Sequence, residues 1–253
     1  MAQQGVTVLN AALLALSVAL LSACSAGGTT GPSEGDVASA PNASAPGSAP
    51  AMTATTAPMH NVLVFGDSLS AAYNLAAEQG WVALLDARMQ AEAPGFRMVN
   101  ASISGETSAG GAARIDAALA QHRPAVVVLA LGANDGLRGL PLEETRANLV
   151  AMTRAAKASG AHVLVVGIRL PPNYGPDYTD AFFAMFGDIA RTEGTAHLPF
   201  LLEPIALEDS AFQPDRLHPT AEVQPRLAEH VWETLAPLLQ SSSGQSAASS
   251  VSR

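Results

Sequence analysis

Three short stretches of this chain are almost continuously apolar: VLVF at 62–65, AVVVLAL at 125–131 and VLVVG at 163–167. An amphipathic strand alternates in and out with a period of two. A run with no polar face has to be covered on both sides. Such runs bounded by Gly and polar residues mark the inner strands of a parallel sheet, and a parallel sheet needs a crossover after each strand. The strands expected from this pattern are Asn61–Phe65, Arg97–Ala101, Ala125–Leu131, His162–Ile168 and His197–Leu201. The stretches between them read as helices: Trp81–Gln90, Gly111–Gln121, Leu142–Ser159 and Asp177–Thr192. A last helix is expected from Pro219, at its first turn, to about Leu239. The alternation gives an α/β fold: a three-layer α/β/α sandwich around a mostly parallel five-stranded sheet.

In sheets of this kind, sites form beyond the carboxyl ends of the strands. The residues after each expected strand therefore form one group. The first strand is followed by Gly66-Asp67-Ser68-Leu69 and the second by Ser102-Ile103-Ser104-Gly105-Glu106-Thr107. The third leads into Gly132-Ala133-Asn134-Asp135-Gly136 and the fourth into Arg169-Leu170-Pro171-Pro172-Asn173-Tyr174. Beyond the fifth lies Asp215-Arg216-Leu217-His218-Pro219. A Ser, a Gly, an Asn, an Asp and a His thus converge on one edge.

A hydroxyl becomes a useful nucleophile when a base takes its proton, and His is the base suited to neutral pH. Asp215 can hold one nitrogen of His218 as N–H and leave the other to accept from Ser68. Acyl transfer also needs donors aimed at the oxyanion, each worth about 2.7–4 kcal/mol. The backbone N–H groups of Ser68 and Gly105 and the side-chain amide of Asn134 can supply three. The bland alternatives are Ser68 as a helix N-cap and Asn134 as a turn residue. Asp67 is expected to bond loop backbone. His60, His122, His162, His197 and His230 have no partner pattern, and no His-Glu-x-x-His or comparable spacing suggests a metal. There is no Gly-x-Ser-x-Gly elbow either, although Ser…Asp…His is the order of the α/β-hydrolases.

Together, GDSL at 66–69, the Gly of NASISGETSAGG, the Asn of LALGANDGLRG and the His of DRLHP resemble the four blocks of the SGNH (GDSL) hydrolases. The fuller strings, with RLPPNYGPDY, resemble the bacterial thioesterase I/arylesterase/lysophospholipase branch over about residues 60–240. The resemblance implies Ser68, Asp215 and His218 as a catalytic triad, and Ser68, Gly105 and Asn134 as an oxyanion hole. It implies no metal and no cofactor. Leu69, Asp135, Leu137 and Tyr174 are expected to touch substrate, and Asn134–Leu140 matches a segment that shifts on substrate binding in this branch. The substrate expected is a small ester, aryl ester, lysophospholipid or acyl thioester. A carbohydrate acetyl esterase and a non-catalytic envelope lipoprotein are the rival readings. Arg216 departs from the pattern: a small residue, usually Gly, is common between the Asp and the His. Whether PPNYGPDYTDAFFAMF lines an acyl pocket, or Phe182, Phe183 and Phe186 only pack a helix on the sheet, the sequence leaves open.

The flanks read differently. Ala11–Leu21 is apolar but shorter than the ~20 residues of a membrane span, and suits a signal-peptide core over residues 1–23. Leu21-Ser22-Ala23-Cys24 resembles the lipobox of bacterial lipoproteins, with Cys24 the lipidation site. The positive residues usual before such a core are missing. Residues 24–59 are dominated by Ala, Ser, Gly, Pro and Thr and are expected to form a disordered tether, as is the tail at 241–253. The resemblance places the protein outside the cytoplasm, anchored at the periplasmic face of a Gram-negative outer membrane with lipid as a partner. The single cysteine excludes an intramolecular disulfide, and a net charge of −9 with no basic stripe excludes nucleic acid. A monomer is expected.

Overall fold

The computed structural model describes residues 59–251. The signal, Cys24 and tether expectations lie outside the described residues.

The apolar runs become β1 (His60–Gly66), β3 (Val126–Ala130) and β4 (His162–Val166); Val62–Gly66 of β1, all of β3 and the last four residues of β4 are buried. Two more polar segments become β2 (Phe96–Asn100) and β5 (Ala196–Leu198) at the sheet edges, where one side needs no neighbour. The order is β2-β1-β3-β4-β5, with every pair parallel. The register sets Val62 opposite Met98 on one side and Val126 on the other.

The crossovers carry α1 (Trp81–Glu92), α2 (Ser108–His122), α4 (Leu142–Ala158) and α5 (Pro176–Glu193), with a short α3 (Ala133–Leu137) after β3. A right-handed crossover from β1 to β2 runs one way across the sheet, and the later ones run the other way. Hence α1 packs with the last helix, α6 (Gln224–Val251), while α2, α4 and α5 pack side by side. In α5 the buried residues are Phe182, Met185, Phe186, Ile189 and Ala190, the i, i+3, i+4, i+7, i+8 stripe of a helix on a sheet. Phe182 and Phe186 meet edge to face at 5.2 Å and are fully buried, each worth about 1.5–3 kcal/mol of transfer. These two aromatics are therefore core.

Two boundaries differ from expectation. Pro219 sits in an antiparallel bridge with Phe212, and α6 starts only at Gln224 after a short 3-10 turn. The bridge holds Pro219 in extended backbone, which postpones the helix. At the other end α6 runs through Val251, where a disordered tail was expected from 241. Extending a packed helix needs no new nucleus, and the Ala and Ser of this tail contain no proline to stop it.

The connections leaving the adjacent strands β1 and β3 run in opposite directions across the sheet. This is the switch point at which open α/β sheets leave a crevice. Ser68 follows β1, Gly105 follows β2 and Asn134 follows β3.

Candidate active site

The chain leaves β1 at Gly66 and turns tightly. Asp67 O accepts from the N–H groups of Ser70 (3.1 Å) and Ala71 (2.9 Å), and its Oδ1 accepts from Leu69 N at 3.0 Å. Trp81 Nε1 donates to Leu69 O at 2.9 Å, and Asn100 Nδ2 donates to Ser70 O at 2.8 Å. The serine is thus fixed from a helix and from the neighbouring strand. Asp67 itself is 1% exposed, and its Oδ2 has no partner among the described residues. Burial pushes its carboxyl up to about 7, against the Leu69 N–H, and the charge of Asp135 adds to the rise.

His218 arrives on the loop before α6. His218 Nε2 lies 2.8 Å from Ser68 Oγ, and Nδ1 lies 2.7 Å from Asp215 Oδ2. The other carboxylate oxygen of Asp215 accepts from the backbone N–H groups of Leu217 (2.9 Å) and His218 (3.0 Å). Partial burial works against ionisation. The two backbone N–H groups and then the imidazole outweigh it and bring the Asp215 carboxyl down to about 2. An ionised carboxylate only accepts, so Nδ1 carries the proton and Nε2 is left to accept from Ser68.

The residues expected to supply oxyanion donors, Ser68, Gly105 and Asn134, line one pocket. Among the described residues the N–H groups of Ser68 and Gly105 have no protein acceptor. Gly105 adopts φ +79, which a Cβ would disfavour, and Arg138 Nη2 donates to its carbonyl at 2.9 Å. Asn134 enters α3 after Gly132, whose φ of +115 makes the turn out of β3. One Nδ2 proton of Asn134 goes to Glu106 O at 3.0 Å; the other remains for an oxyanion.

Ser68, His218, Gly105 and Asn134 line one pocket of about 530 Å³. Leu69 and Leu137, expected at the substrate, line it too, as do Pro171, Pro172 and Phe200. Two expectations are corrected. Asp135 is 2% exposed and turned into the protein: it accepts from Ser108 N (2.8 Å), Ser108 Oγ (2.6 Å) and Thr145 Oγ1 (3.4 Å), tying the start of α2 to α4. On a helix, neighbours point in different directions, so Asn134 and Asp135 cannot both face the pocket. Tyr174 is absent from the lining; its hydroxyl donates to Leu137 O at 2.8 Å and braces the wall from behind.

Sequence reasoning passed over Tyr73 and Gln213. The Tyr73 ring lies 4.3 Å from the His218 ring, tilted by 33°. Its neighbours Ala72 (φ 55) and Asn74 (φ 57) are both left-handed. Gln213 donates through Nε2 to Tyr73 O and Pro219 O, each at 3.0 Å, and through its backbone N–H to His218 O at 2.8 Å. No local pattern announces either residue. Among the described residues no cluster of three or more His, Cys, Asp or Glu side chains is placed to hold a metal.

Residues 64–224 fit the model of the GDSL-like Lipase/Acylhydrolase family. The chain belongs to that family. Esterase TesA of Pseudomonas aeruginosa is 53% identical over 178 residues, 70% of this chain and 89% of that protein. Thioesterase 1/protease 1/lysophospholipase L1 of Escherichia coli K12 is 40% identical over 188 residues, 74% of this chain and 89% of that one. Among solved structures, the psychrotrophic esterase EstA from Pseudoalteromonas sp., inhibited by monoethylphosphonate, superposes with a TM-score of 0.69. It is 39% identical and covers 72% of this chain and 99% of its own.

Proposed function

We propose that this GDSL-family protein is a serine carboxylic-ester hydrolase that works through an acyl-enzyme. The observation that carries the reading is the unbroken chain Ser68 Oγ, His218 Nε2, His218 Nδ1, Asp215 Oδ2, with links of 2.8 and 2.7 Å, at the wall of an open pocket. Ser68 Oγ attacks the ester carbonyl carbon while its proton passes to His218 Nε2. The electron pair displaced onto the carbonyl oxygen is met by Ser68 N, Gly105 N and Asn134 Nδ2. When the tetrahedral adduct collapses, His218 returns the proton to the departing alcohol, phenol or thiol, and the acyl group stays on Ser68. Water then repeats the sequence with the same base and releases the acid.

The relatives' names supply the substrate range: aryl esters, acyl thioesters and lysophospholipids. A pocket of about 530 Å³ with an apolar wall holds more than an acetyl group, which supports longer acyl chains over an acetyl-polysaccharide reading. The signal-like start and Cys24 support export and lipid anchoring. Among the described residues no helix is long and apolar enough to cross a membrane. Mass spectrometry of the mature protein tests the anchor: an unmodified Cys24 overturns it.

The function is tested with p-nitrophenyl esters from acetate to palmitate, alongside Ser68→Ala. Hydrolysis that peaks at an intermediate chain length and falls by about 10⁴-fold or more in a folded Ser68→Ala variant supports the reading. Equal, negligible rates in both proteins overturn it.

A further inference from the structure

In the proposed reaction the Ser68–His218 hydrogen bond serves only the first half of the cycle. Once the acyl group is on Ser68, Oγ is an ester oxygen with no proton to give, and that bond no longer holds the imidazole. Release of the acid still needs His218 Nε2 within reach of a water at the same carbonyl carbon. Another contact has to keep His218 in place.

The loop that carries His218 is closed on itself. Phe212 pairs with Pro219 in an antiparallel bridge, and Thr220 N donates to Ala211 O at 2.9 Å. Gln213 N donates to His218 O, and Gln213 O accepts from Arg216 N, each at 2.8 Å. Residues 214–217 are exposed, so packing does little to register the tip of this loop against the turn that carries Ser68.

Among the described residues, two hydrogen bonds join residues 211–220 to residues 66–75. One is the Ser68–His218 bond itself. The other runs from Gln213 Nε2 to Tyr73 O at 3.0 Å, and the same nitrogen gives its second proton to Pro219 O, next to His218, at 3.0 Å. Tyr73 is in turn tied to Ser68, since its N–H donates to Ser68 O at 3.4 Å. Its ring rests 4.3 Å from the His218 ring. A path of contacts thus runs from the Ser68 backbone through Tyr73 and Gln213 to the His218 backbone, and it passes through neither reacting atom. Ala72, just before Tyr73, is left-handed at φ 55. A non-glycine residue stays there only where its surroundings hold it, and the Gln213 bond to the Tyr73 carbonyl is such a hold.

We infer that Gln213 is a positioning residue for deacylation: its side-chain amide keeps His218 in register with the acylated Ser68 after the Ser68–His218 bond has gone. In that half-reaction a water oxygen attacks the acyl carbon and its proton passes to His218 Nε2. The adduct then collapses, the acid leaves, and Ser68 Oγ takes the proton back from Nε2. Formation of the acyl-enzyme, by contrast, starts from the Ser68–His218 bond and depends less on the clasp. The inference rests on the serine-esterase reading and adds to it a division of labour between the two half-reactions.

The full chain is compared with Gln213→Met, which keeps the length of the side chain and loses both donors. With p-nitrophenyl butyrate, stopped-flow release of p-nitrophenol reads acylation, and intact-protein mass spectrometry of quenched samples reads the Ser68 acyl-enzyme and its decay. Deacylation in Gln213→Met should be about 10–100-fold slower, the cost of displacing His218 by up to about 1 Å. Acylation should change by less than about 3-fold, so kcat and KM fall together, kcat/KM is nearly kept, and acyl-enzyme accumulates behind a burst of p-nitrophenol. Loss of loop structure alone would lower acylation and kcat/KM as well. Equal deacylation rates in the two proteins, or a kcat/KM that falls as far as kcat, overturns the clasp. Ser68 acyl-enzyme formed by both proteins keeps the esterase reading in place even then. No hydrolysis and no Ser68 adduct in either protein overturns both.

Discussion

The two acids beside the reacting groups are pushed in opposite directions. Asp67, next to the proposed nucleophile Ser68, is sealed in the protein, and burial lifts its carboxyl up to about 7. Asp215, behind the proposed base His218, is more than a third exposed, and hydrogen bonds bring it down to about 2. The nucleophile side is therefore held by the core: β1, the Trp81 indole and Asn100. The base side is held by its own loop, through an Asp215 carboxylate that accepts from two backbone amides and through the Gln213 clasp. One half of the site is built by packing and the other by local polar contacts, so the halves should fail differently.

The largest expected effect lies on the base side. Asp215→Asn removes the acceptor that fixes the His218 tautomer, and kcat should fall by about 10⁴-fold with the fold intact. Because the Asp215 carboxyl is depressed, its contribution to stability is present above its unfolded value of 3.8 and is lost as pH falls through about 2. The carboxylate's contribution should accordingly build up between about pH 2 and 3.8, so the stability difference between the wild type and Asp215→Asn grows through that window and is constant above it. Retained activity in Asp215→Asn would mean that the loop orients His218 without the carboxylate.

Asp67→Asn tests the other half, with the opposite sign. A raised carboxyl contributes stability that is complete below pH 3.8 and lost as pH rises through about 7. Asn keeps an acceptor for Leu69 N and carries no charge. Asp67→Asn should therefore equal the wild type near pH 4 and exceed it by about 1–4 kcal/mol at pH 8, read as Tm across pH. Equal pH profiles would show that the buried charge finds compensation.

The smallest effect belongs to the ring beside the base. Tyr73→Leu should lower kcat about 3–10-fold, shift the pH profile of kcat/KM and leave Tm nearly unchanged. Tyr73→Phe, which keeps the ring, should restore the rate; if it does not, the hydroxyl and not the stacking matters.

The packed half was the more legible in sequence. Apolar runs announce β1, β3 and β4 because a strand covered on both faces has no polar positions to spare. The residues that follow them, Ser68, Gly105 and Asn134, inherit their placement from the strands. Asp215 and His218 were legible through their spacing in DRLHP. Tyr73 was not, because its contacts with His218 and Gln213 join segments 140 or more residues apart, and Gln213 was not, because its local bonds to His218 and Pro219 follow no sequence period. Asp135 misled for a related reason: adjacency to Asn134 says nothing of which way a helical side chain points. Within the expected 241–253 tail, residues up to Val251 continue α6, because composition describes a segment alone whereas Gln224–Val251 extends a helix packed against α1 and the sheet.

The central claim is that Ser68 is the nucleophile and that His218 activates it. The most direct measurement is intact-protein and peptide mass spectrometry after reaction with a p-nitrophenyl alkylphosphonate, timed for the wild type, His218→Ala and Ser68→Ala. One adduct per chain, located on Ser68, formed orders of magnitude more slowly in His218→Ala and absent in Ser68→Ala, is the predicted result. An adduct on another residue, or equal labelling of the wild type and His218→Ala, would contradict the account.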